Sequence, residues 1–333
     1  MGGLYQGDLV ERLRAGAQAL APHWGLSPQT QVRLLTLSEN ATFRADDPAR
    51  DAPVILRVHR PGYHTEAEIA SELAWIGALR DAGAVTAPAP LPLRSGEMIA
   101  RFEEGGELRH VVAFEFMPGS EPDPAGDLAA GFRQLGAVSA RLHGHARGWR
   151  PPAGFTRKTW DFDSAFGAAP LWGDWRAAPG LTADSAAVLA ALAERLQAEL
   201  AAYGSGADRF GLVHADLRLA NLLTTGDQLA VIDFDDCGLS WFAYDFAAAI
   251  SFLETSPMIP ALQAAWLEGY REVASFGAEH EAMLPALILF RRLLLTAWIG
   301  SHAETETAQE AGLGAYTEGT AELAERYLAE PRP

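Results

Sequence analysis

One stretch, residues 210–236, limits the possible folds of this chain more than any other. In it, a short apolar lead-in is followed by Asp216 and Asn221, and the stretch ends on the acids that begin at Asp233. Apolar residues on both sides of the turn at 225–227 predict a hairpin whose closure brings these three side chains together. A carboxylate that orients a hydroxyl, beside an amide and a carboxylate that bind magnesium, is what phosphoryl transfer from a Mg-nucleotide requires. The stretch therefore predicts a phosphotransferase site.

The pattern His-x-Asp-x4-Asn followed by Asp-Phe, at His214, Asp216, Asn221 and Asp233, resembles the catalytic loop and metal-binding acid of the protein-kinase-like superfamily. Two features restrict this resemblance to one branch of the superfamily. Asp235 stands where protein kinases have the glycine of Asp-Phe-Gly, and no activation segment follows, because a stretch of helical character comes almost at once. Both features are similar to the aminoglycoside phosphotransferase, choline kinase and homoserine-kinase-like branch, whose members phosphorylate mostly small molecules.

The resemblance implies a two-lobed, protein-kinase-like α+β fold. Its N-lobe, residues 1–116, would hold an antiparallel sheet with one key helix and a preceding N-terminal helix. Its C-lobe, residues 117–333, would be mainly helical and carry the catalytic loop and the acceptor site. ATP is expected at the seam between the two lobes.

The resemblance also implies a role for each polar residue of the stretch. Asp216 would accept or orient the proton of the acceptor hydroxyl, and Arg218 would neutralise the transferring phosphoryl group. Asn221 and Asp233 would hold magnesium. Asp235 would either reach a second metal ion or only cap the turn that follows it.

The strand predicted over 54–58 resembles the kinase strand that carries a phosphate-binding lysine, with Arg57 in the lysine position. Lys158 is the only lysine of the chain, so arginine here agrees with a general scarcity of lysine. A helix with an N-terminal capping box is predicted over 65–80, and it places Glu72 on its apolar face, where a carboxylate needs a cationic partner. Arg57 is the predicted partner. Two alternatives stay open, because Arg57 is either a working substitute for lysine or a sign of a degraded site.

Two weaker signals concern the nucleotide. The turn over 38–43 lacks a Gly-x-Gly sequence, but its Asn40 followed by an aromatic strand resembles the corresponding turn of relatives. An ordinary hairpin turn explains it equally well. After a hairpin over 98–116, the Pro-Gly character near Glu115 and Met117 resembles the hinge whose backbone groups bind adenine.

The rest of the chain reads as a helical C-lobe with one irregular segment. Helices are predicted over 127–145, 183–203, 241–254, 259–275, 279–301 and 306–329. Asp245 matches a family position that braces the catalytic loop. The segment 149–176 is rich in Trp and Asp and has no clean periodicity, and it forms either a wall of the acceptor site or aromatic packing of the C-lobe.

Charge and composition restrict the partners. The net charge of −17, from 43 acidic and 26 basic residues, disfavours nucleic acid and anionic membranes and favours a cationic substrate. The single cysteine, Cys237, excludes an intrachain disulfide and is typical of a reducing compartment. Residues 1–20 lack the pattern of a signal peptide, and Arg291-Arg292 interrupt the apolar run 284–299. We expect a cytoplasmic protein without a membrane span.

These observations favour an ATP- and Mg-dependent kinase that phosphorylates a hydroxyl of a small, amine-bearing molecule. Two other functions stay open. One is a protein Ser/Thr kinase like the bacterial stress-response kinases of this fold, which also lack an activation segment. The other is a non-catalytic nucleotide-binding module, suggested by Arg57 and the missing glycine-rich loop.

Overall fold

The computed structural model describes residues 7–38 and 40–330. Residues 1–6, which belong to the stretch inspected for a signal peptide, and Glu39 of the predicted nucleotide turn lie outside the described residues. The chain divides into two compact units. The first unit contains the chain up to Gly119, Arg150–Arg157 and Ala230–Asp235. The second unit contains Ser120–Trp149, Lys158–Leu229 and the chain from Asp236 onward.

The first unit is built from a sheet and two helices. In chain order its elements are α1 (Gly7–Leu20), β1 (Gln31–Leu37), β2 (Ala41–Asp46), β3 (Val54–Val58), α2 (Glu66–Asp81), β4 (Pro90–Leu91), β5 (Ala100–Glu104) and β6 (Glu107–Glu115). The strand order is β1-β2-β3-β6-β4, β5 also pairs with β6, and every pair is antiparallel. This confirms the predicted antiparallel sheet.

Side-chain alternation decides how this sheet is covered. Along β2 the buried positions are Ala41, Phe43 and Ala45, every second residue, as a strand with one apolar face requires. They belong to a cluster that also contains Leu13 and Ala17 of α1, so the first helix covers that face. Full burial of a Leu or Phe side chain contributes roughly 1.5–3 kcal/mol.

The helix α2 begins as the sequence predicts. The Thr65 side chain accepts from the backbone of Glu68, and the Glu68 side chain accepts from the backbone of Thr65, which is a complete capping box. The helix buries Ile69, Leu73 and Ile76 on one side, and Glu72 lies among the buried residues of the same helix.

The remaining elements follow in the second unit, except that β9 begins there and ends in the first unit. They are α3 (Leu128–Gly148), α4 (Phe162–Phe166), α5 (Ala183–Tyr203), β7 (Phe210–Val213), β8 (Leu222–Thr225), β9 (Gln228–Val231), β10 (Gly238–Trp241), α6 (Tyr244–Ala249), α7 (Ile259–Val273), α8 (Ala278–Ala282), α9 (Leu284–Ser301), α10 (Glu306–Glu310) and α11 (Gly314–Ala329). β8 and β9 form a two-stranded sheet, so the predicted hairpin is confirmed.

Two glycines allow α3 and α7 to pack closely. A Cβ atom on Gly136 would lie 2.0 Å from the carbonyl oxygen of Trp266, and one on Gly269 would lie 1.8 Å from that of Arg133. Both distances are far below contact distance, so any larger residue would push the two helices apart. The close pair buries Phe132 of α3 and Trp266 of α7 in the helical core.

The helix α9 is the central apolar helix of the second unit. The segment Ala278–Ser301 has 24 residues and contains an 18-residue window with a mean hydropathy of 1.6, long and apolar enough to cross a membrane, but 78% of that window is buried inside the protein. Arg291 and Arg292 are buried with it. It is therefore a core helix whose apolar surface faces protein.

Two predicted helices are shorter than the sequence suggests. In place of a helix over 241–254, α6 covers Tyr244–Ala249, because Trp241 belongs to the strand that pairs with β7 and Phe252 has a positive φ of 69°. The predicted helix 306–329 is interrupted where Gly312 and Leu313 adopt positive φ angles of 87° and 42°. The first difference has no periodicity signal, since the strand pairing of Trp241 is non-local.

Candidate active site

In the second unit, the catalytic loop begins where β7 ends. β7 pairs with β10, and the chain then turns through Ala215, which has a φ of 68°. Asp245 of α6 holds this turn, because its carboxylate accepts the backbone N–H of His214 at 3.3 Å and of Ala215 at 2.8 Å. The predicted bracing role of Asp245 is confirmed. A non-glycine residue in the left-handed region costs about 1–3 kcal/mol and persists only where the surroundings enforce it, which is typical of functional sites.

The carboxylate of Asp216 receives donors on both of its oxygens. Arg291 donates from Nη2 to Oδ1 at 2.6 Å. Asn221 donates from Nδ2 to Oδ2 at 2.6 Å, and Arg218 donates from Nε to the same oxygen at 3.2 Å. Burial raises the pKa of Asp216, but Arg218 and Arg291 outweigh it and leave the pKa below its usual value. Asp216 is thus a fixed, negatively charged acceptor.

Arg291 contacts Asp216 but was not predicted as a site residue, since in the sequence it only interrupts an apolar run. Its side chain is 2% exposed and also donates to the backbone oxygen of Ala215, to the hydroxyl of Tyr244 and to the hydroxyl of Ser251. One signal could have found it. A cation inside an apolar helix needs a buried anion as partner.

Asn221 lies at the end of a 3₁₀ turn, Leu219–Asn221. Its Nδ2 donates to the backbone oxygen of Asp216 at 2.8 Å as well as to the Asp216 carboxylate. The amide N–H groups therefore point to Asp216, and the amide oxygen is the atom of Asn221 that could bind a cation.

In the first unit, Arg57 forms the centre of a second polar cluster. Its Nη2 donates to both carboxylate oxygens of Glu72, at 2.7 and 2.6 Å, and its Nη1 donates to Asp233 at 3.2 Å. The predicted Arg57–Glu72 pair is confirmed, and Glu72 is fully buried rather than at the edge of the helix. Burial lowers the pKa of Arg57, but Glu72, Asp235 and Asp233 together raise it well above its usual value.

The carboxylate of Asp235 lies inside this first-unit cluster. Asn40 donates from Nδ2 to it at 2.9 Å, and the ring nitrogens His59 Nδ1 and His64 Nε2 each lie 3.5 Å from one of its oxygens. Arg57 Nη2 lies 3.7 Å away. Burial raises the pKa of Asp235, but Arg57 and the neighbouring histidines hold it well below its usual range. The structure thus places Asp235 and Asn40 together as buried partners.

Asp233 differs from Asp235 in exposure and backbone. Its side chain is 43% exposed, against 9% for Asp235, and its φ is 58°. Its Oδ1 accepts from Arg57 Nη1. Carboxylate and amide oxygens are the ligands that magnesium prefers, so Asp233 and Asn221 fit this metal by their chemistry.

The predicted hinge residues lie at the end of β6. The backbone N–H of Glu115 donates to the carbonyl oxygen of Ala89 at 2.9 Å, and its carboxylate lies 3.6 Å from Arg80. Met117 follows in a segment without regular structure. The adenine contacts expected of Glu115 and Met117 stay predictions.

The model of the phosphotransferase enzyme family, known as APH, matches residues 31–276 of the sequence. The chain belongs to this family. A solved structure of a microcompartment-associated aminopropanol kinase is 44% identical, covers 95% of this chain and 97% of that one, and superposes with a TM-score of 0.87. An uncharacterized protein of Deinococcus radiodurans is 33% identical over 279 residues, 81% of this chain and 77% of the relative.

A more distant likeness concerns the fold alone. The amicoumacin kinase hAmiN, solved with AMP-PNP, Ca²⁺ and Ami, is 20% identical, with a TM-score of 0.77 and coverage of 96% and 94%. The predicted kinase-like α+β fold and family are thus confirmed. The protein is a phosphotransferase.

In this member of the phosphotransferase family, the Trp-rich segment is mostly packing. Trp160, Trp172 and Trp175 are all buried, and the rings of Trp160 and Trp172 lie 5.0 Å apart. Asp161 and Asp174 cap the short helical turns that follow them. The structure therefore agrees with the packing alternative for these side chains. Trp172 has one further contact, because the Arg291 guanidinium lies 5.1 Å from its ring centroid.

Proposed function

We propose that this phosphotransferase moves the γ-phosphoryl group of ATP to the hydroxyl of a small amino alcohol. The observation that carries the proposal is the 44% identity to an aminopropanol kinase over 95% of the chain. An amino alcohol has both groups that the sequence predicts for the acceptor, a hydroxyl to phosphorylate and an amine that is cationic at neutral pH.

The second unit supplies the groups that act on the acceptor. The hydroxyl of the acceptor donates a hydrogen bond to the Asp216 carboxylate, which orients the oxygen. The carboxylate receives the proton as the new O–P bond forms and the bond from the γ-phosphorus to the β,γ-bridging oxygen breaks, which releases ADP. A loose phosphoryl-transfer transition state has little bonding to the attacking oxygen, so orientation by a fixed carboxylate matters more than base strength. Arg218, whose side chain is 26% exposed, is placed to neutralise charge on the transferring group.

The remaining assignments concern nucleotide and metal. We assign Arg57 to the phosphates of ATP and Asn221 and Asp233 to magnesium, and Asp235 supports Arg57 instead of binding metal. When bound, magnesium neutralises the phosphate oxygens. Arg57 keeps its guanidinium fixed through Glu72, and Asp233 keeps its carboxylate accessible. Asn40 acts indirectly, as a donor to Asp235.

The net charge of the chain supports a cationic acceptor, and its single cysteine supports a cytoplasmic location. The net charge of −17 attracts amines and repels free anionic metabolites. The one cysteine, Cys237, is buried, and a chain with a single cysteine forms no intrachain disulfide, which agrees with a reducing compartment.

The test is an ADP-release screen of the purified protein with Mg-ATP. The acceptors are amino alcohols, hydroxy amino acids, aminoglycosides and generic protein substrates. We expect turnover with amino alcohols. Turnover only with protein substrates would contradict the proposal and favour a protein kinase.

Three variants make the screen specific to the assigned residues. Asp216→Asn should lose at least ~100-fold in kcat while Mg-ATP binding persists. Asp233→Ala should lose magnesium-dependent ATP binding in calorimetry. Asp227→Asn removes an exposed acid of the hairpin turn and should leave both properties unchanged. Normal turnover in Asp216→Asn, or equal Mg-ATP affinity in Asp233→Ala and the parent, would remove that residue from its role.

A further inference from the structure

We propose that Arg291 is a positioning residue for phosphoryl transfer, which holds the Asp216 carboxylate in the orientation that receives the acceptor hydroxyl. The adjacent Arg292, on the same helix, serves only packing. The proposal rests on the function proposed above in one respect, namely that Asp216 contacts the acceptor.

The guanidinium of Arg291 is fixed by four acceptors from several elements. It donates to Asp216 Oδ1 at 2.6 Å and to the backbone oxygen of Ala215 at 3.3 Å. It also donates to the Tyr244 hydroxyl at 3.1 Å and to the Ser251 hydroxyl at 3.1 Å. Arg291 therefore bonds to both the Asp216 carboxylate and the turn at Ala215 that precedes it. Tyr244 of α6 and Ser251, which follows α6, hold the guanidinium in place.

The three donors to Asp216 differ in how firmly they are held. Arg291 is 2% exposed and Arg218 is 26% exposed, so Arg291 is the more completely buried of the two arginines. Asn221 and Arg218 both bond to Oδ2, so Oδ1 depends on Arg291. Loss of Arg291 would leave the carboxylate free to rotate away from the acceptor. A misplacement of about 1 Å in a reacting group can cost on the order of 100-fold in rate.

Arg292 provides an internal control. It is 5% exposed and donates to Glu254 at 2.7 Å, to the Thr320 hydroxyl at 2.9 Å and to the backbone oxygen of Tyr316 at 3.1 Å. Its guanidinium also lies 3.4 Å from the ring centroid of Tyr316. Both arginines are thus buried, charged and bonded to an acid. Of the partners of Arg292, Thr320 and Tyr316 lie on α11 and Glu254 follows α6, so none of them lies on the catalytic loop.

The experiment compares Arg291→Lys with Arg292→Lys. For each variant, kcat, the KM for ATP and for the acceptor, Mg-ATP affinity by calorimetry and the unfolding midpoint are measured. We expect Arg291→Lys to lower kcat by about 10- to 100-fold with ATP affinity within about twofold of the parent. Arg292→Lys should lower the unfolding midpoint and keep kcat within about twofold. Equal kcat losses in the two variants would overturn the proposal.

A second comparison tests whether Arg291 acts through Asp216. In the Asp216→Asn background, Arg291→Lys should cause no further loss of kcat, because the group that it positions has already been disabled. A multiplicative loss in the double variant would show an independent role and contradict the proposal. Should Arg291→Lys fail to fold, Tyr244→Phe removes one acceptor of the guanidinium and should lower kcat by about two- to fivefold with ATP affinity intact. An unchanged kcat there would also contradict it.

The parent protein separates this proposal from the acceptor assignment. If amino alcohols give no turnover, the same variants are compared by ATP hydrolysis with water as acceptor, which depends on Asp216 and not on the identity of the alcohol. The acceptor assignment then fails on the parent alone, and the Arg291 proposal stands or falls on the ratio between the variants.

Discussion

Arginine in place of the usual lysine changes what this position can do. An ammonium group is a compact point charge, whereas the planar guanidinium of Arg57 can contact several acids at once. It contacts Glu72 through Nη2 and Asp233 through Nη1. Arg57 therefore links the buried acid of α2 to the exposed acid that we assign to magnesium. This geometry favours a working substitute over a degraded site.

The Arg57–Glu72 pair gives the first prediction at this scale. Because Glu72 is fully buried, Arg57→Ala leaves an uncompensated charge and should cost about 3–5 kcal/mol of unfolding free energy. Glu72→Ala should cost less, because Arg57 keeps Asp233 and Asp235 as acidic neighbours. The double variant should cost much less than the sum, with a coupling of at least about 1 kcal/mol. Arg57→Lys should fold but lower kcat/KM for ATP, since one ammonium group cannot copy both contacts. Denaturant unfolding and steady-state kinetics measure these effects.

Arg101 and Glu66 form the matched control for this cycle. Their side chains are 38% and 44% exposed, and the pair is also a salt bridge of the first unit. The same double-mutant cycle there should give a coupling of about 0.2–1 kcal/mol. Additive effects at Arg57 and Glu72, or equal coupling in the two pairs, would contradict a buried, functional pair.

The contrast between Arg57 and Arg291 shows what the sequence could predict. Glu72 lies on an apolar helical face, so periodicity alone required a buried cation, and the resemblance supplied Arg57. Arg291 was visible as a charge in an apolar helix, but its acid is 75 positions away. A sequence without an alignment has no signal for a pairing at that separation. The contacts of His59 and His64 with Asp235 were missed for the same reason.

At the scale of elements, His143 joins three helices. Carried by α3, it lies 2.9 Å from Asp245 of α6 and 3.0 Å from the Tyr270 hydroxyl of α7. Asp245 in turn accepts the amides of the catalytic loop, so the helix packing and the loop share one acid. Burial lowers the pKa of His143, and although Asp245 partly offsets this, Arg147 adds to the lowering. His143 is therefore a neutral imidazole in the folded protein.

The lowered pKa of His143 predicts a pH-dependent stability. The unfolded chain takes up a proton near the ordinary histidine pKa of about 6.5, while the folded protein resists it. Stability from this group is thus fully present above pH about 6.5 and is lost as the pH falls toward the folded-state pKa. His143→Gln should reduce the decrease in unfolding free energy between pH 7.5 and 5.5, measured by urea titration. The exposed His23→Gln serves as control, and parallel pH profiles of parent and His143→Gln would contradict the prediction.

The elements themselves divide into predictable and unpredictable ones on physical grounds. α5 was predicted to its ends, because its apolar spacing is local and its cap is visible in the sequence. The helix expected over 241–254 begins later than predicted, since Trp241 belongs to β10, which pairs with β7, and such pairing overrides local propensity. Sequence periodicity therefore predicts isolated amphipathic helices better than short strands.

At the scale of the whole molecule, neither compact unit is one continuous stretch of the chain. Segments 150–157 and 230–235 belong to the first unit although residues on both sides of each belong to the second. Arg157 shows how this arises, because it donates to the backbone oxygens of Glu68 and Asp235 within the first unit. No composition shift marks these segments, so a boundary read from the sequence as a single cut near 116 could not include them.

The charge of the whole molecule gives the last prediction. At −17, the chain should attract a cationic acceptor over distances longer than any single contact, and salt should weaken this attraction. Raising the salt concentration from about 0.02 M to about 0.5 M shortens the screening length from roughly 20 Å to roughly 4 Å. We therefore expect kcat/KM for an amino alcohol to fall several-fold over this range. The same measurement with ATP should show no fall, because its charge is negative. An acceptor of the same length with a second hydroxyl in place of the amine is the matched control and should be nearly independent of salt. Equal salt dependence of the amino alcohol and this diol would mean that the acidity of the chain does not select a cationic substrate.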